Sequence, residues 1–391
     1  MIRMLTAITE EIDEIDDAVS EILEQLHLDR DLLQNSVGLI ACDYEFIESG
    51  IVEALCRRLP FDVAGITTVG GAVRGKCSSA LLSLSVLTSN EVRFSGAVSE
   101  PMNEENFESV ASAVYRGAMG DSRTKPSFIL AFPPSMPPGW GASFLEQINK
   151  ASAELFGGLI PVFGALSCDQ SLSYAKSKTI WNGRDAPDIM ALIFMYGDME
   201  AEYFISTIAE KDISKQYGVI TESKDNILKK VNDMVLVDYL ETLGLPLSSV
   251  NVTATIPFVV NYRDGTRTAA RALYGITPEG YAVCGGEMPV DATIAIGRVN
   301  YHNVIESAAR MTEELRKTKT SGAILTYSCL TRNLMLGLNS DDEMREIISL
   351  LDNTMPYHIA YSGGEICPVK AGNGELINRF HNFTLIACVF R

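Results

Sequence analysis

Short apolar runs of strand length, separated by stretches with helical spacing, constrain this chain more than any other feature. Residues 36–42 (SVGLIAC) read as a buried strand, 45–59 as a helix and 62–69 as a second strand. Strand-like runs recur at 81–88, 128–132, 160–165 and 189–196, with a helix over 141–155 that Gly157 and Gly158 can stop. The polar segment 210–225 suggests a domain boundary. Beyond it lie a helix over 226–243, strands near 253–262 and 292–299, and a helix over 303–317. A strand over 322–329, a helix over 341–351 and a last strand over 383–390 complete the chain. Interleaved helices and buried strands predict an α/β or mixed α+β fold, with two domains of layered helices and mostly buried sheets. The strand order is not legible at this level.

The first 31 residues differ from the rest. Leu5, Ile8, Ile12, Ile15, Val19, Ile22 and Leu26 follow alternating steps of three and four, a heptad seam flanked by acids. The spacing predicts an acidic amphipathic helix within residues 1–35, either a dimerising coiled coil or a helix laid on the domain that follows. Unrelieved acidic flanks repel in a parallel pair, which favours the second. This stretch supplies −8 of the formal charge of −18, so the remaining body is only mildly acidic. Such a balance argues against non-specific nucleic-acid binding and against adhesion to an anionic leaflet.

No run of about 18 uncharged apolar residues occurs, and the start is followed by acids, so a soluble cytoplasmic protein is expected. Eight cysteines stand singly with no C-x-x-C pair, which suits reduced thiols better than disulfides or structural zinc. The P-loop, dinucleotide, zinc-protease and nucleophile-elbow signatures are all missing. Only four histidines exist, His27, His302, His358 and His381, and none has metal spacing. A hydrolase built on Cys329 with His381 as base can be drawn, because the pair needs only to meet in space.

Three constellations remain: residues 65–71 (GITTVGG), residues 163–170 (FGALSCDQ), and a C-terminal set. The last comprises 327–332 (YSCLTR), 362–365 (SGGE) and 380–384 (FHNFT). Strand ends bearing hydroxyls, an Arg and a Glu on a glycine turn would suit a small zwitterion, because guanidinium matches a carboxylate and a carboxylate accepts from an ammonium. Equally, Arg332 and Glu365 could pair with each other or cap local backbone. The run GGEMPV at 285–290 echoes GGEICPV at 363–369.

These residues resemble the FIST family, whose members carry an N-terminal and a C-terminal FIST domain. The run 324–332 (ILTYSCLTR) is similar to the family's strand ending in Phe-Ser-Cys with a following Arg. Gly364-Glu365-Ile366 with Pro368 is similar to its Gly-Glu-Ile turn, and His381-Asn382-Phe383-Thr384 to its His-Asn-x-Thr. Residues 65–71, 162–169 and Trp181-Asn182-Gly183 resemble its N-terminal motifs. The chain departs from the pattern at Ile66 (usually Cys), Gly71 (Glu), Ala165 (Gly) and Thr331 (Gly).

The resemblance implies a FIST N-terminal domain over 36–218, a FIST C-terminal domain over 219–391, and a non-enzymatic sensory protein. Amino acids are the implied ligand class, with no cofactor, and signalling would pass through a partner protein or a homo-oligomer. Arg332 would hold the ligand carboxylate and Glu365 its ammonium. Ser328, Asn382 and Thr384 would orient it, with Cys329 and Gly364 in the same set and Ser167 and Asp169 completing the wall. A haem-based nitric-oxide sensor, with His381 or His358 as axial ligand, is the alternative that the family also implies.

Overall fold

The computed structural model describes residues 1–391 except 135–136, 138, 172–173, 246–255, 319–321 and 352–355. Parts of the proline-rich loop over 132–141 and of the strand expected at 253–262 therefore lie outside the described residues. The fold is mixed α+β, as the alternation of runs predicts. No described helix is long and apolar enough to cross a membrane.

Three six-stranded sheets share one pattern. Each is centred on a parallel pair: Asn35–Cys42 with Val63–Thr67, Phe128–Phe132 with Val162–Leu166, and Ala323–Cys329 with Tyr357–Ser362. The first member of each pair is flanked by two successive antiparallel strands. These are Leu82–Ser89 then Arg3–Thr9, Ala191–Tyr196 then Arg93–Val98, and Leu385–Phe390 then Ala201–Ser206. The second member is flanked by a β-hairpin.

That hairpin always comes from another unit. Gly71–Val73 and Lys76–Ser78 of the first unit join the third unit's Tyr357–Ser362. Thr179–Trp181 and Arg184–Ala186 of the second join the first unit's Val63–Thr67. Gly364–Lys370 and Leu376–His381 of the third join the second unit's Val162–Leu166. The chain thus folds as three topologically equivalent units that exchange hairpins in a ring, and its sheets draw strands from both sides of residue 218.

Burial follows the same symmetry. The inner faces of the three sheets meet in one core containing Leu39, Ile66, Leu130, Phe163, Leu325, Tyr327 and Phe390. Helices cover each outer face: Ile15–Leu26 and Ile51–Arg58, then Phe107–Met119 and Ser143–Phe156, then Tyr301–Lys317 and Asp342–Leu350. Inserted in the third unit is a closed six-stranded antiparallel barrel. It runs Ile213–Lys224, Thr293–Gly297, Pro257–Asn261, Ala269–Ile276, Ala282–Cys284 and Ile227–Val231, which pairs back with the first strand.

Two expectations change. The helix expected within residues 1–35 is a strand, Arg3–Thr9, followed by a helix, Ile15–Leu26. Leu5 and Ile8 belong to the strand; beyond it, Glu11 Oε1 accepts from the amides of Asp13 and Glu14 and turns the chain into the helix. Val19, Ile22 and Leu26 are buried against the sheet, so the apolar stripe lies on its own domain. The helix expected over 226–243 is reduced to Leu236–Thr242, preceded by strands Ile227–Val231 and Met234–Val235. The left-handed conformations of Asn232 and Asp233 (φ 51° and 64°) form a tight turn that no helix can contain.

Gly65 and Gly164 hold equivalent positions in the first and second units. A Cβ on either would lie 1.8 Å from a backbone carbonyl oxygen, of Ile40 and Ala131 respectively. Neither oxygen can move without breaking the parallel ladder. Gly164→Ala is therefore expected to destabilise the protein by about 3 kcal/mol, read as a fall in the urea midpoint at constant m.

Candidate functional site

Register relates the three units residue by residue. Thr67, Leu166 and Tyr361 hold equivalent positions at or next to the ends of these strands and lie where the three units meet. Cys168 N donates to Thr67 O (3.0 Å), Gly363 N donates to Leu166 O (2.9 Å), and Thr68 Oγ1 donates to Tyr361 O (2.8 Å). The next residues on the inner faces are Thr68, Ser167 and Ser362, so three hydroxyls surround this junction.

Their fates differ. Thr68 Oγ1 also donates to Gly70 O (2.8 Å), and Ser362 Oγ donates to Glu365 Oε1 (2.7 Å). Ser167, only 1 % exposed, has a hydroxyl with no partner. A second set of equivalent positions is Gly71, Thr179 and Glu365, paired across the ladders with Ala360, Ile66 and Ala165. A carboxyl stands at only one of the three. A side chain at Gly71 would meet Ile359 O at 2.5 Å, so the first unit has no room for one.

Glu365 is fully buried. Ser362 and Thr384 donate to its two oxygens at 2.7 and 2.6 Å, and the Cys329 thiol is a third donor. Burial pushes its carboxyl up to about 8, opposed by those hydrogen bonds and by the charge of Arg332. The thiol of Cys329 is pushed well up by burial and then by Glu365, and it accepts from Thr331 Oγ1 at 3.0 Å. It is no thiolate nucleophile at neutral pH.

Asn382 closes the site from the barrel side. Its Oδ1 accepts from Ala272 N of the barrel (3.1 Å), and its side chain lies between the two echoed glycine turns. A Cβ on Gly285 would meet Asn382 Oδ1 at 2.4 Å and one on Gly364 would meet Nδ2 at 3.2 Å. Tyr274 of the barrel donates to Gly363 O (2.9 Å), and its ring meets Tyr174 edge-on at 5.7 Å. Both tyrosines are half-buried. Asp169 accepts from the amides of Ser171 and Lys176 and from Ser177 Oγ, which folds the loop carrying Tyr174.

The sequence thus locates Glu365, Cys329, Gly364, Asn382, Thr384 and Ser167 in one neighbourhood. Arg332 and Ser328 have other work. Arg332, 2 % exposed, donates to Glu343 Oε1 through Nε (2.9 Å) and Nη2 (2.6 Å), and to Ser307 Oγ and Val304 O. Ser328 Oγ also donates to Glu343. The carboxylate that faces Arg332 is supplied by the protein: it pairs with Glu343 rather than with Glu365, and its one backbone acceptor, Val304 O, lies on another helix rather than in local backbone. Glu343 is visible in sequence only as one acid of a helix, and nothing in the spacing marks Tyr174 or Tyr274.

The histidines are engaged elsewhere. His381 Nε2 is 3.1 Å from Cys367 O, and His358 Nδ1 is 3.0 Å from Ser85 Oγ. Burial lowers them to about 3 and about 4. Both sit inside packed sheet faces, which does not fit an axial haem ligand, and His381 is placed on Cys367 O rather than as a base for Cys329. Among the described residues no group of three or more His, Cys, Asp or Glu could hold a metal ion.

Comparison with known proteins gives two family-model matches: the FIST N domain over residues 36–234 and the FIST C domain over 235–368. No curated protein matches the chain. Among solved structures, a cyanuric acid hydrolase from A. caulinodans is 8% identical over 100% of this chain and 99% of that one, with a TM-score of 0.35. A second cyanuric acid hydrolase structure shares 8% identity over the same fractions, at a TM-score of 0.31. Likeness at that level carries no argument about activity.

Two predictions follow from the buried charges. Arg332→Met leaves Glu343 buried and unpaired and is expected to cost about 3–5 kcal/mol. The double variant Arg332→Met/Glu343→Leu should recover most of that in the same denaturation assay. Glu365 has a folded pKa of about 8 against an ordinary 4.5. The stability it contributes is complete below 4.5 and lost as pH rises through about 8. The two buried histidines are lowered from 6.5, so they add stability as pH rises through that value and add little beyond about half a unit above it. Between about pH 7 and 8 the stability of the wild type should fall while that of Glu365→Gln holds or rises slightly; parallel curves would count against the buried carboxyl.

Proposed function

The chain belongs to the FIST family, whose domains are generally sensory ligand-binding domains, and we propose that it is a non-enzymatic sensor of a small ammonium-bearing metabolite of the amino-acid class. The observation that carries this reading is one buried hydroxyl, that of Ser167, left without a partner on the sheet face that also bears Glu365. Leaving a buried hydroxyl unpaired costs about 1–3 kcal/mol, and a ligand atom that pairs with it recovers that cost.

Glu365 supplies the charge. Without ligand its carboxyl is mostly neutral at pH 7, with Ser362, Thr384 and Cys329 around it. An ammonium brought beside it favours the carboxylate, so binding releases a proton and tightens as pH rises toward 8. Ser167 holds the ligand's other polar end. Asn382 and Thr384 fix the geometry, and the half-buried Tyr174 and Tyr274 form the side nearest solvent. Arg332 acts through position, tying the helix Leu330–Leu336 that follows Cys329 to Glu343.

The output would pass to a partner protein or to a second copy of the chain. The eight free cysteines suit the reducing cytoplasm, where we place the protein. A thermal-shift and calorimetric screen of free amino acids and small amines tests the assignment. At least one should stabilise the wild type, with binding about tenfold weaker in Ser167→Ala, one hydrogen bond's worth. The unliganded Ser167→Ala protein should be as stable as wild type or more so. No stabilising ligand, or one bound equally by Ser167→Ala and Glu365→Gln, would sink the proposal.

A further inference from the structure

A second site lies away from the strand-end junction. A crevice of about 750 Å³ opens between the strand Ala201–Ser206, paired on one side only, and the hairpin Gly364–Lys370/Leu376–His381. Its size is that of a small-molecule pocket. The lining includes Tyr203, Ile205 and Val369, which offer an apolar floor, and Arg267 and Lys370. Among the described residues neither of these two cations has an ion-pair partner within 4.0 Å. Arg391 also lines the crevice but is matched by Glu200 (3.9 Å) and Glu202.

Arg379 adds an independent observation. It is 5 % exposed, and although Nη2 meets Asp264, its Nε and Nη1 have no partner. Its guanidinium carbon lies over the Tyr262 ring, 3.7 Å from the centroid. Cross-strand register places Arg379 opposite Cys367, on the same face as Val369 of the crevice floor. A buried guanidinium with two orphan nitrogens thus shares a sheet face with the floor of an apolar crevice that has two unpaired cations at its walls.

We propose that this crevice binds a small amphiphilic monoanion, a carboxylate with an apolar body. The head is held by Arg267 and Lys370 and the body lies on Tyr203, Ile205 and Val369, with Arg379 on the same sheet face adding positive charge. Three cations (Arg267, Lys370 and Arg391) and two carboxylates (Glu200 and Glu202) line the crevice, a net of one positive charge, which suits a monoanion better than a phosphate dianion. The site is independent of Glu365 and Ser167.

Hexanoate and benzoate, with acetate and inorganic phosphate as controls, are the probes, titrated calorimetrically at low ionic strength. Hexanoate or benzoate should bind the wild type, at least tenfold more weakly in Arg267→Glu/Lys370→Glu, while acetate and phosphate bind far less. Amino-acid binding at the first site should be unchanged in the double variant, which separates the two proposals. No binding of either probe, binding unaffected by the double variant, or phosphate binding in their place would overturn the inference.

Discussion

The edges of the three sheets cannot be completed by the units that build them. Each parallel pair ends in backbone groups that need partners, and each finds them in a hairpin from another unit. The exchange runs one way around the ring, so removing any hairpin opens an edge on a neighbour. The hydrogen bonds from Cys168 to Thr67, from Gly363 to Leu166 and from Thr68 to Tyr361 mark where the three exchanges converge. A common core and three helix-covered outer faces follow from that closure, because three sheets turned inward leave only their outer faces to cover.

Near-symmetry makes the exceptions informative. Equivalent positions share a place in the ladder, so the chemistry each unit puts there can be compared directly. Thr179 directs its hydroxyl to Pro133 O, Gly71 has no room for a side chain, and Glu365 places a carboxyl in the interior. At the hydroxyl positions Thr68 and Ser362 are engaged and Ser167 is not. Both exceptions occur on the second unit's sheet, one on its own strand end and one on the hairpin it receives. The barrel then reaches this region through Ala272, Tyr274 and Gly285, which hold Asn382 in place.

The parts legible in sequence are those whose burial is complete. Strands such as Phe128–Phe132 and Ala323–Cys329 are covered on both faces and read as continuous apolar runs. Hairpin strands of three residues, such as Gly71–Val73 and Thr179–Trp181, carry too little pattern to register, and their partners lie far away in the chain. The barrel is hidden for the same reason, since its closure pairs short, half-buried strands. Chemistry was legible where residue types are rare in apolar runs, as with Glu365 and the clustered hydroxyls. Assigning Arg332 required knowing that Glu343, eleven residues on and in another helix, reaches the same point. The echo of Gly285-Gly286-Glu287 in Gly363-Gly364-Glu365 proved spatial: both turns close on Asn382.

A buried carboxyl with a raised pKa and a buried hydroxyl without a partner both make the folded state less stable than an apolar alternative would. Arg332 shows that this chain can satisfy a buried charge fully when the role is structural, with Glu343, Ser307 and Val304 O all supplied internally. Asp169 is likewise satisfied by its own loop. The unpartnered hydroxyl of Ser167 is therefore not a general looseness of the interior. Among the described residues the buried side-chain atoms left without a partner are the hydroxyls of Ser167 and Thr326 and two nitrogens of Arg379, and of these Ser167 is the one placed where the three units meet and the barrel approaches. A site that binds a polar molecule must keep some hydrogen-bonding capacity unfilled in its absence, and in this fold that capacity lies where the symmetry is broken.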